Sequence, residues 1–465
     1  MFSMIFFDKV RKIFNFATDP QGEKRLVKYE DKDVIIVSST QKPIFKYLSN
    51  LQVLDCNIIK EYFYTRHLML PKKTIYKNIS FLTPGINYKF DFIKEKITKK
   101  YYDDPISWIN KKKYFYYKNL GLKKTSLSLE KKIRKVLKKM TPTINFGNIF
   151  SGGVDSSLIT LFLQNEKKSK KLIFIDNVNK DPISKKITLF KKFINFKKLE
   201  IIKMDKKKYY KNLKQTYNNI EIPFLSHELV GRNKIFQFFN REKIKVCFGG
   251  DGADEIFGGY SLYEKIKWNK RGIKNLSPYS NYLKDLKGDN VDYSNLIWKR
   301  AYKKYKSFLN STESKIQASL FTDYFVQCVG VHNISNDLLS GENSLEIRSL
   351  FMNKNILKMG INLPIKYKIN LNNKITNLRT KVILKKIFIK NFSNELLFEK
   401  QGFSGFPNEA FSVLSKIDKS KVQKIYLKYK NLFIDKTKAI EWKILNLFFF
   451  EKFISLNKNT NHNNN

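Results

Sequence analysis

Hydrophobic and polar positions change rhythm near residue 120. Upstream, short β-branched or aromatic runs alternate with turn sequences. "KDVIIVSS" (32–39) follows the turn-like "DPQGEKR" (19–25), and "KTIYKNISFLTPGINYKF" (73–90) predicts two strands around a Pro-Gly turn. From 120 onward, "SLSLEKKIRKVLKKM" spaces its apolar residues as a helix does. Strands and helices then alternate. "FGNIF" (146–150) is a strand, and "SSLITLFLQ" (156–164) is the helix after it. "KKLIFID" (170–176), "KKLEIIKMD" (197–205) and "KIKVCFGG" (243–250) read as buried strands, with helical stretches such as "SKKITLFKKFI" between them. That alternation predicts an α/β fold, a parallel sheet wrapped by helices. Beyond 260 the pattern is mainly helical, and the tail "NKNTNHNNN" is polar and of low complexity.

Composition narrows the class. The chain has 465 residues, 42% of them hydrophobic and 15% aromatic, which suits a folded protein of two or three domains. A net charge of +48 invites a nucleic-acid partner. Lys far outnumbers Arg, however, and is spread along the whole chain rather than gathered. Arg is the residue suited to bidentate phosphate and base recognition, so nucleic acid is the disfavoured partner. Cys56, Cys247 and Cys328 stand far apart, without a CxxC pair, and the four histidines form no ligand-spaced pair. These counts exclude a disulfide framework and a zinc ribbon and fit a reducing, cytoplasmic setting. No apolar run reaches the ~20 residues that span a bilayer, so no membrane partner is expected.

The strand "FGNIF" leads into "SGGVDSS". Backbone N–H groups in such a turn, at a helix start, form a cradle for an anion. Gly152 and Gly153 allow close approach to phosphate oxygens, Ser151, Ser156 and Ser157 add hydroxyls, and Asp155 is a candidate magnesium ligand. The alternative is that Asp155 and Ser156 only cap a core helix. The Walker and dinucleotide fingerprints are both absent. The order S-G-G-V-D-S-S after a strand resembles the pyrophosphate loop of the ATP pyrophosphatases, a group that includes asparagine, GMP and argininosuccinate synthetases.

A second motif selects within that group. "CFGGDGADEIFGGY" (247–260) closely resembles the S-G-D-G-A-D-E-L-F-G-G-Y segment of the asparagine synthetase family. The spacing of its acidic residues does not fit an EF-hand. "IEIPF" (220–224) resembles the family's D-E-P segment. "NDLLSGENSLEIRSLFMN" (336–353) matches a further family stretch at Asp337, Ser344, Glu346, Arg348 and Phe351, and departs from it at Leu338, Leu350 and Asn353. "FEKQGFSGFP" (398–407) resembles the K-x-G-F segment. The resemblance covers about residues 120 to 410. It implies ATP and Mg2+ as cofactors, with Asp155 and Asp254 as magnesium ligands. It implies that Phe150, Ser151, Gly152, Gly153, Asp155, Ser156, Ser157, Ile175, Gly249 and Gly250 line the nucleotide. Asp251 and Arg348 would lie near the reacting carboxylate. Lys400 would stabilise the adenylation transition state, and Glu346 would assist at the intermediate.

The start of the chain resembles only the later part of the family's glutaminase domain. "DPQGEKRLVKYEDKDVIIVSSTQKPIFKYL" (19–48) and "ISFLTPGINYKF" (79–90) carry that likeness, but the chain begins Met1-Phe2-Ser3 without the Cys nucleophile. The expectation is a truncated, amidotransferase-like α+β remnant over 1–108, an ATP-binding domain over 109–455 and a disordered tail over 456–465. The activity implied is amidation of a carboxylate, aspartate first, through an acyl-adenylate. Ammonia would come from solution or from a glutaminase partner. The alternatives are an offshoot acting on another carboxylate, such as a sugar acid or peptide precursor, and a non-catalytic basic protein that binds nucleic acid.

Overall fold

The computed structural model describes residues 1–48, 53–55, 57–59, 61, 73–166, 168–177, 183–195, 199–220, 228–260, 263, 289–398, 411–412, 414–416, 419–429, 444–445 and 447–448. Two antiparallel sheets occupy the first hundred residues. One has the order β1-β2-β6-β7 and is built from Ser3–Asp8, Ile13–Thr18, Ile86–Asp91 and Lys96–Tyr101. The other has the order β4-β3-β5, from Ile35–Ser38, Val27–Glu30 and Ile79–Phe81. The turn between β5 and β6 passes through Pro84 and Gly85, as the sequence predicts, with Gly85 at φ +74°. Phe16, Leu26, Leu82 and Tyr88 form a small core here, with Phe16 and Tyr88 stacked at 5.4 Å. The hairpin of β1 and β2 and the strand β7 are additions that the sequence pattern did not reveal.

The rest of the chain carries a five-stranded sheet of order β10-β9-β8-β11-β12, and every pairing in it is parallel. Its strands are Leu199–Met204, Ser169–Asn177, Phe146–Ile149, Val246–Gly249 and Glu346–Ser349. The first four lie where the alternating pattern placed them. β12 is the exception, a short strand inside the mainly helical half. Its charged residues Glu346 and Arg348 break the apolar run by which a buried strand is recognised.

Successive residues of β11 serve different cores. Val246 and Phe248 belong to one, with Phe146, Leu158 and Phe351, while Cys247 belongs to the other, with Ile173, Phe239 and Ile347. A strand buried on both faces needs apolar residues without alternation, which explains the run "KVCF". The one polar residue buried in β8, Asn148, donates its Nδ2 to Thr160 Oγ1 at 2.8 Å. The helices, in chain order, begin with α1 (Lys42–Tyr47) and α2 (Lys111–Met140), which is broken at Gly121 with φ 77°. Then come α3 (Val154–Leu163), α4 (Ile183–Phe190), α5 (Lys206–Asn219) and α6 (Glu228–Arg241). The helical half supplies α7 (Ala253–Phe257), α8 (Asp289–Lys306), α9 (Ser311–Asp323), α10 (Asn333–Glu342), α11 (Lys354–Gly360), α12 (Val382–Asn391) and α13 (Lys419–Tyr429). A π-helix, Tyr324–His332, joins α9 to α10.

The two regions are tied by polar contacts. Lys24 Nζ meets Asp337 Oδ1 at 2.5 Å, and the Arg25 N–H donates to the other oxygen of Asp337 at 3.1 Å. Asn333 Nδ2 donates to the Gln21 carbonyl at 2.8 Å. Among the described residues, no helix is long and apolar enough to cross a membrane.

Candidate active site

The strand order places the site. From β8 the chain steps to β9 and β10 on one side, then returns to β11 and β12 on the other, so the direction reverses between β8 and β11. In open parallel sheets, ligands bind at such a switch point, beyond the carboxyl ends of the strands. The two glycine motifs are the segments that leave β8 and β11 at those ends.

The first turn runs from Phe150 to Gly153. The Phe150 ring packs into the core at 5.5 Å from Phe190, while its N–H donates to the Ile173 carbonyl at 2.8 Å. Gly152 adopts φ +70°, and Gly153 is the cap residue of α3, without a side-chain capping bond. The serines brace the turn: the Ser151 N–H donates to Ser156 Oγ at 3.1 Å, and the two hydroxyls lie 3.0 Å apart. Ser157 is fully buried. Asp155 therefore does not cap the helix. Its carboxylate points to the second motif, and Gly250 makes room for it, since a Cβ at that position would lie 3.2 Å from Asp155 Cβ.

The second motif turns sharply after β11. Gly252 has φ +94°, and a Cβ on it would meet Met352 Cγ at 3.2 Å and the Phe351 carbonyl carbon at 3.3 Å. Gly259 is required for another reason: a Cβ there would fall 2.0 Å from Asp254 Oδ1 and 2.1 Å from Lys381 Cε. Those two groups are the centre of the site. Lys381 Nζ lies 2.7 Å from Asp254 Oδ1 and also contacts Asp155 Oδ2. The lysine is the first residue before α12, held in the left-handed region at φ +48°, and its N–H donates to the Gly258 carbonyl at 3.3 Å. Burial disfavours its ammonium, but the two carboxylates outweigh burial and hold it well above the usual lysine range. The two acids singled out in the sequence thus converge, on a lysine that the sequence reading missed. One Lys among so many carries no signal by itself, and only its position across the fold distinguishes it.

Asp251 has a separate environment. Arg232, on α6, grips it with both Nη atoms at 3.0 and 3.1 Å, and Asn336 Nδ2 donates to it at 3.1 Å. Burial pushes its carboxyl up, and Arg232 more than reverses this, leaving it below the ordinary aspartate value. The neighbouring Glu255 is buried, which raises its carboxyl, and it accepts a hydrogen bond from the Tyr260 hydroxyl. Arg232 is another residue that the sequence did not point to.

The remaining expected residues are distributed differently. Glu346 and Arg348 pair with each other at 2.6 Å on β12, and Arg348 also donates to the Met140 carbonyl at the end of α2. Glu346 is opposite Val246, at the start of β11, whereas the glycine turn follows Gly249. Three residues of strand, roughly 10 Å, separate the two levels. Ile175 lies in β9 with its backbone opposite Ile202. Lys400, Cys56 and residues 221–224 of the D-E-P-like segment lie outside the described residues. Asn353, where the family has aspartate, accepts the Asn355 N–H at 3.0 Å as the cap of α11. An aspartate would make the same bond, so the cap does not account for the departure.

Hard carboxylate oxygens from Asp155 and Asp254, meeting at one cation, are a donor set that suits magnesium. Two protein ligands are few, and among the described residues no group of three or more His, Cys, Asp or Glu side chains is placed to hold an ion. Phosphate oxygens and water normally complete such a shell.

The chain is similar to known proteins over both of its regions. The asparagine synthase family profile matches residues 130–423, and the glutamine amidotransferase domain profile matches residues 1–102. Two proteins of Methanocaldococcus jannaschii are similar. One, named "Putative asparagine synthetase (glutamine-hydrolyzing) 1", is 22% identical over 387 residues, covering 79% of this chain and 57% of the relative. The other, "Putative asparagine synthetase (glutamine-hydrolyzing) 2", is 27% identical over 273 residues, covering 57% of this chain and 50% of the relative. The chain thus spans about half the length of the curated relatives it matches.

Proposed function

The chain belongs to the asparagine synthase family, and from that premise we propose that it amidates a carboxylate at the expense of ATP, with aspartate as the acceptor. The carrying observation is the convergence of Asp155, Asp254 and Lys381 between two glycine turns at the reversal of the sheet. A site with one buried cation and two acids beside a backbone cradle is suited to a polyphosphate whose charge is shared with a metal ion.

In this reading the turn Ser151–Gly153 receives the β and γ phosphates of ATP on its backbone N–H groups. Mg2+ would be held by Asp155 and Asp254, and it would neutralise charge on the departing pyrophosphate. Lys381 remains beside the same phosphates as a fixed positive charge in a buried setting, where such a charge counts most. The substrate carboxylate attacks the α-phosphorus, the bond to the β-phosphate oxygen breaks, and pyrophosphate leaves. Ammonia then attacks the acyl carbon of the adenylate, AMP departs, and the proton lost by nitrogen passes to solvent or a nearby base. Asp251, ionised and fixed by Arg232, orients the substrate's amine through charge. By its likeness to the family's K-x-G-F segment, Lys400 would add a second positive charge at the α-phosphate. The nitrogen is supplied as ammonia, from solution or from a glutaminase partner.

The test is aspartate-dependent exchange of labelled pyrophosphate into ATP, followed by amide formation with ammonium chloride. Exchange with aspartate and none with water alone supports the assignment. Exchange driven by a sugar acid or a peptide carboxylate, but not by aspartate, replaces the acceptor. No exchange with any carboxylate refutes the reading.

A further inference from the structure

The sheet β1-β2-β6-β7 has two edges of opposite character. β7, Lys96–Tyr101, carries Lys96, Lys99 and Lys100. Lysines on an edge strand are a usual device against unwanted pairing. β1, Ser3–Asp8, has the sequence SMIFFD, with no Lys, Arg or Pro. Phe2, Met4, Ile5, Phe6 and Phe7 are between 42% and 55% exposed. Because side chains alternate along a strand, Met4 and Phe6 lie on one face of the sheet and Ile5 and Phe7 on the other. Both faces of this edge are therefore apolar and open.

The main chain is open as well. Among the described residues β2 is the only strand paired with β1. The Asp19 N–H donates to the Phe2 carbonyl, and the register matches Ser3 with Thr18 and Met4 with Ala17. Hydrogen-bonded pairs alternate along an antiparallel ladder. Met4, Phe6 and Asp8 thus face β2, and the N–H and C=O groups of Ser3, Ile5 and Phe7 face outward. A row of unpaired donors and acceptors, flanked by apolar side chains on both faces, is complementary to one kind of group: an extended strand that is apolar on both faces.

Charge selects the owner of that strand. Segments 1–18 and 86–101, which make up this sheet, hold eight Lys and Arg against three Asp and Glu, and the whole chain carries +48. A second copy brings the same excess to the contact, whereas an acidic polypeptide is drawn to it. We propose that β1 is a docking edge at which a strand from a separate, acidic polypeptide extends the sheet. This inference is independent of the amidation chemistry, because β1 contributes nothing to the Asp155–Asp254–Lys381 site.

The probe is a ten-residue synthetic peptide with a Val-Thr-Val-Phe-Val-Thr centre between two pairs of Glu, added to the full chain. A second peptide carries Lys in place of Glu. Backbone hydrogen exchange at the outward amides of Ser3, Ile5 and Phe7 is the readout. The Glu peptide is expected to slow exchange there at least tenfold, more strongly at low salt, and the Lys peptide is expected to do much less. Ile5→Pro removes an outward N–H without touching the bonds to β2, and Ile5→Lys keeps the backbone but charges the edge. Both should lose the protection while melting as the parent does, so one variant suffices if the other fails to fold. The proposal is overturned by no protection at millimolar Glu peptide, or by equal protection from the Lys peptide. It is also overturned if the outward amides of Ser3, Ile5 and Phe7 are already protected in the free chain. Sedimentation then assigns the occupant to a second copy if the protein is a dimer, and to the chain's own residues if it is a monomer.

Discussion

Replacing Lys381 with Met tests the centre of the site most directly. The methionine fills a similar volume, so the change removes charge rather than packing. It leaves Asp155 and Asp254, both partly buried, facing each other without the ammonium that lies 2.7 Å from one and in contact with the other. Removing one partner from a buried ion cluster costs ~3–5 kcal/mol. The two carboxylates keep 18% and 23% of their side-chain exposure, which places the expected loss at the lower end, about 3 kcal/mol. Urea unfolding at pH 7 without nucleotide measures it. The same experiment with MgCl2 should recover part of the loss, since a divalent ion replaces the missing charge, and the parent protein should gain less. In pyrophosphate exchange the variant should fall about 100-fold or more, the scale of losing one preorganised charge at a reacting phosphate. A variant within about 0.5 kcal/mol of the parent, the range of an ordinary surface substitution, and exchanging at the parent rate would refute the reasoning.

Arg232→Met should be similarly costly, by ~3–5 kcal/mol at pH 7, because it strands the Asp251 carboxylate. The folded protein holds the Asp251 carboxyl below its ordinary value, so its contribution is present above about pH 4 and is lost as pH falls through the folded value. The gap between parent and variant in urea melts should therefore narrow below pH 4, and a gap independent of pH would count against the pairing. Lys368 is the opposite case: burial pushes its amine down to about 7, with Gln317 Oε1 accepting from Nζ at 2.9 Å. The unfolded chain binds a proton there up to about pH 10.4, so stability should rise with pH between 7 and 10 through this group. Lys368→Met should flatten that rise, and an unchanged slope would refute it.

Much of this protein is legible in its chain. The α/β order followed from uninterrupted apolar runs, because a strand covered on both faces cannot alternate. The two glycine motifs were legible for a local reason: left-handed backbone at Gly152 and Gly252, and close approach at Gly250 and Gly259, admit few residues other than glycine. Asp155 and Asp254 were legible with them, as acids within those turns. Lys381 and Arg232 were not. A lysine or arginine is common on any surface, and these two gain their meaning from carboxylates distant in the chain, 226 residues from Asp155 and 19 from Asp251. The same limit explains β12, whose charged residues hide a strand, and β1, whose apolar residues give no sign of exposure. Local sequence determines which turns and strands form, because backbone sterics and burial act residue by residue. The reversal of the sheet between β8 and β11 decides which charges meet, because only packing brings distant residues within reach.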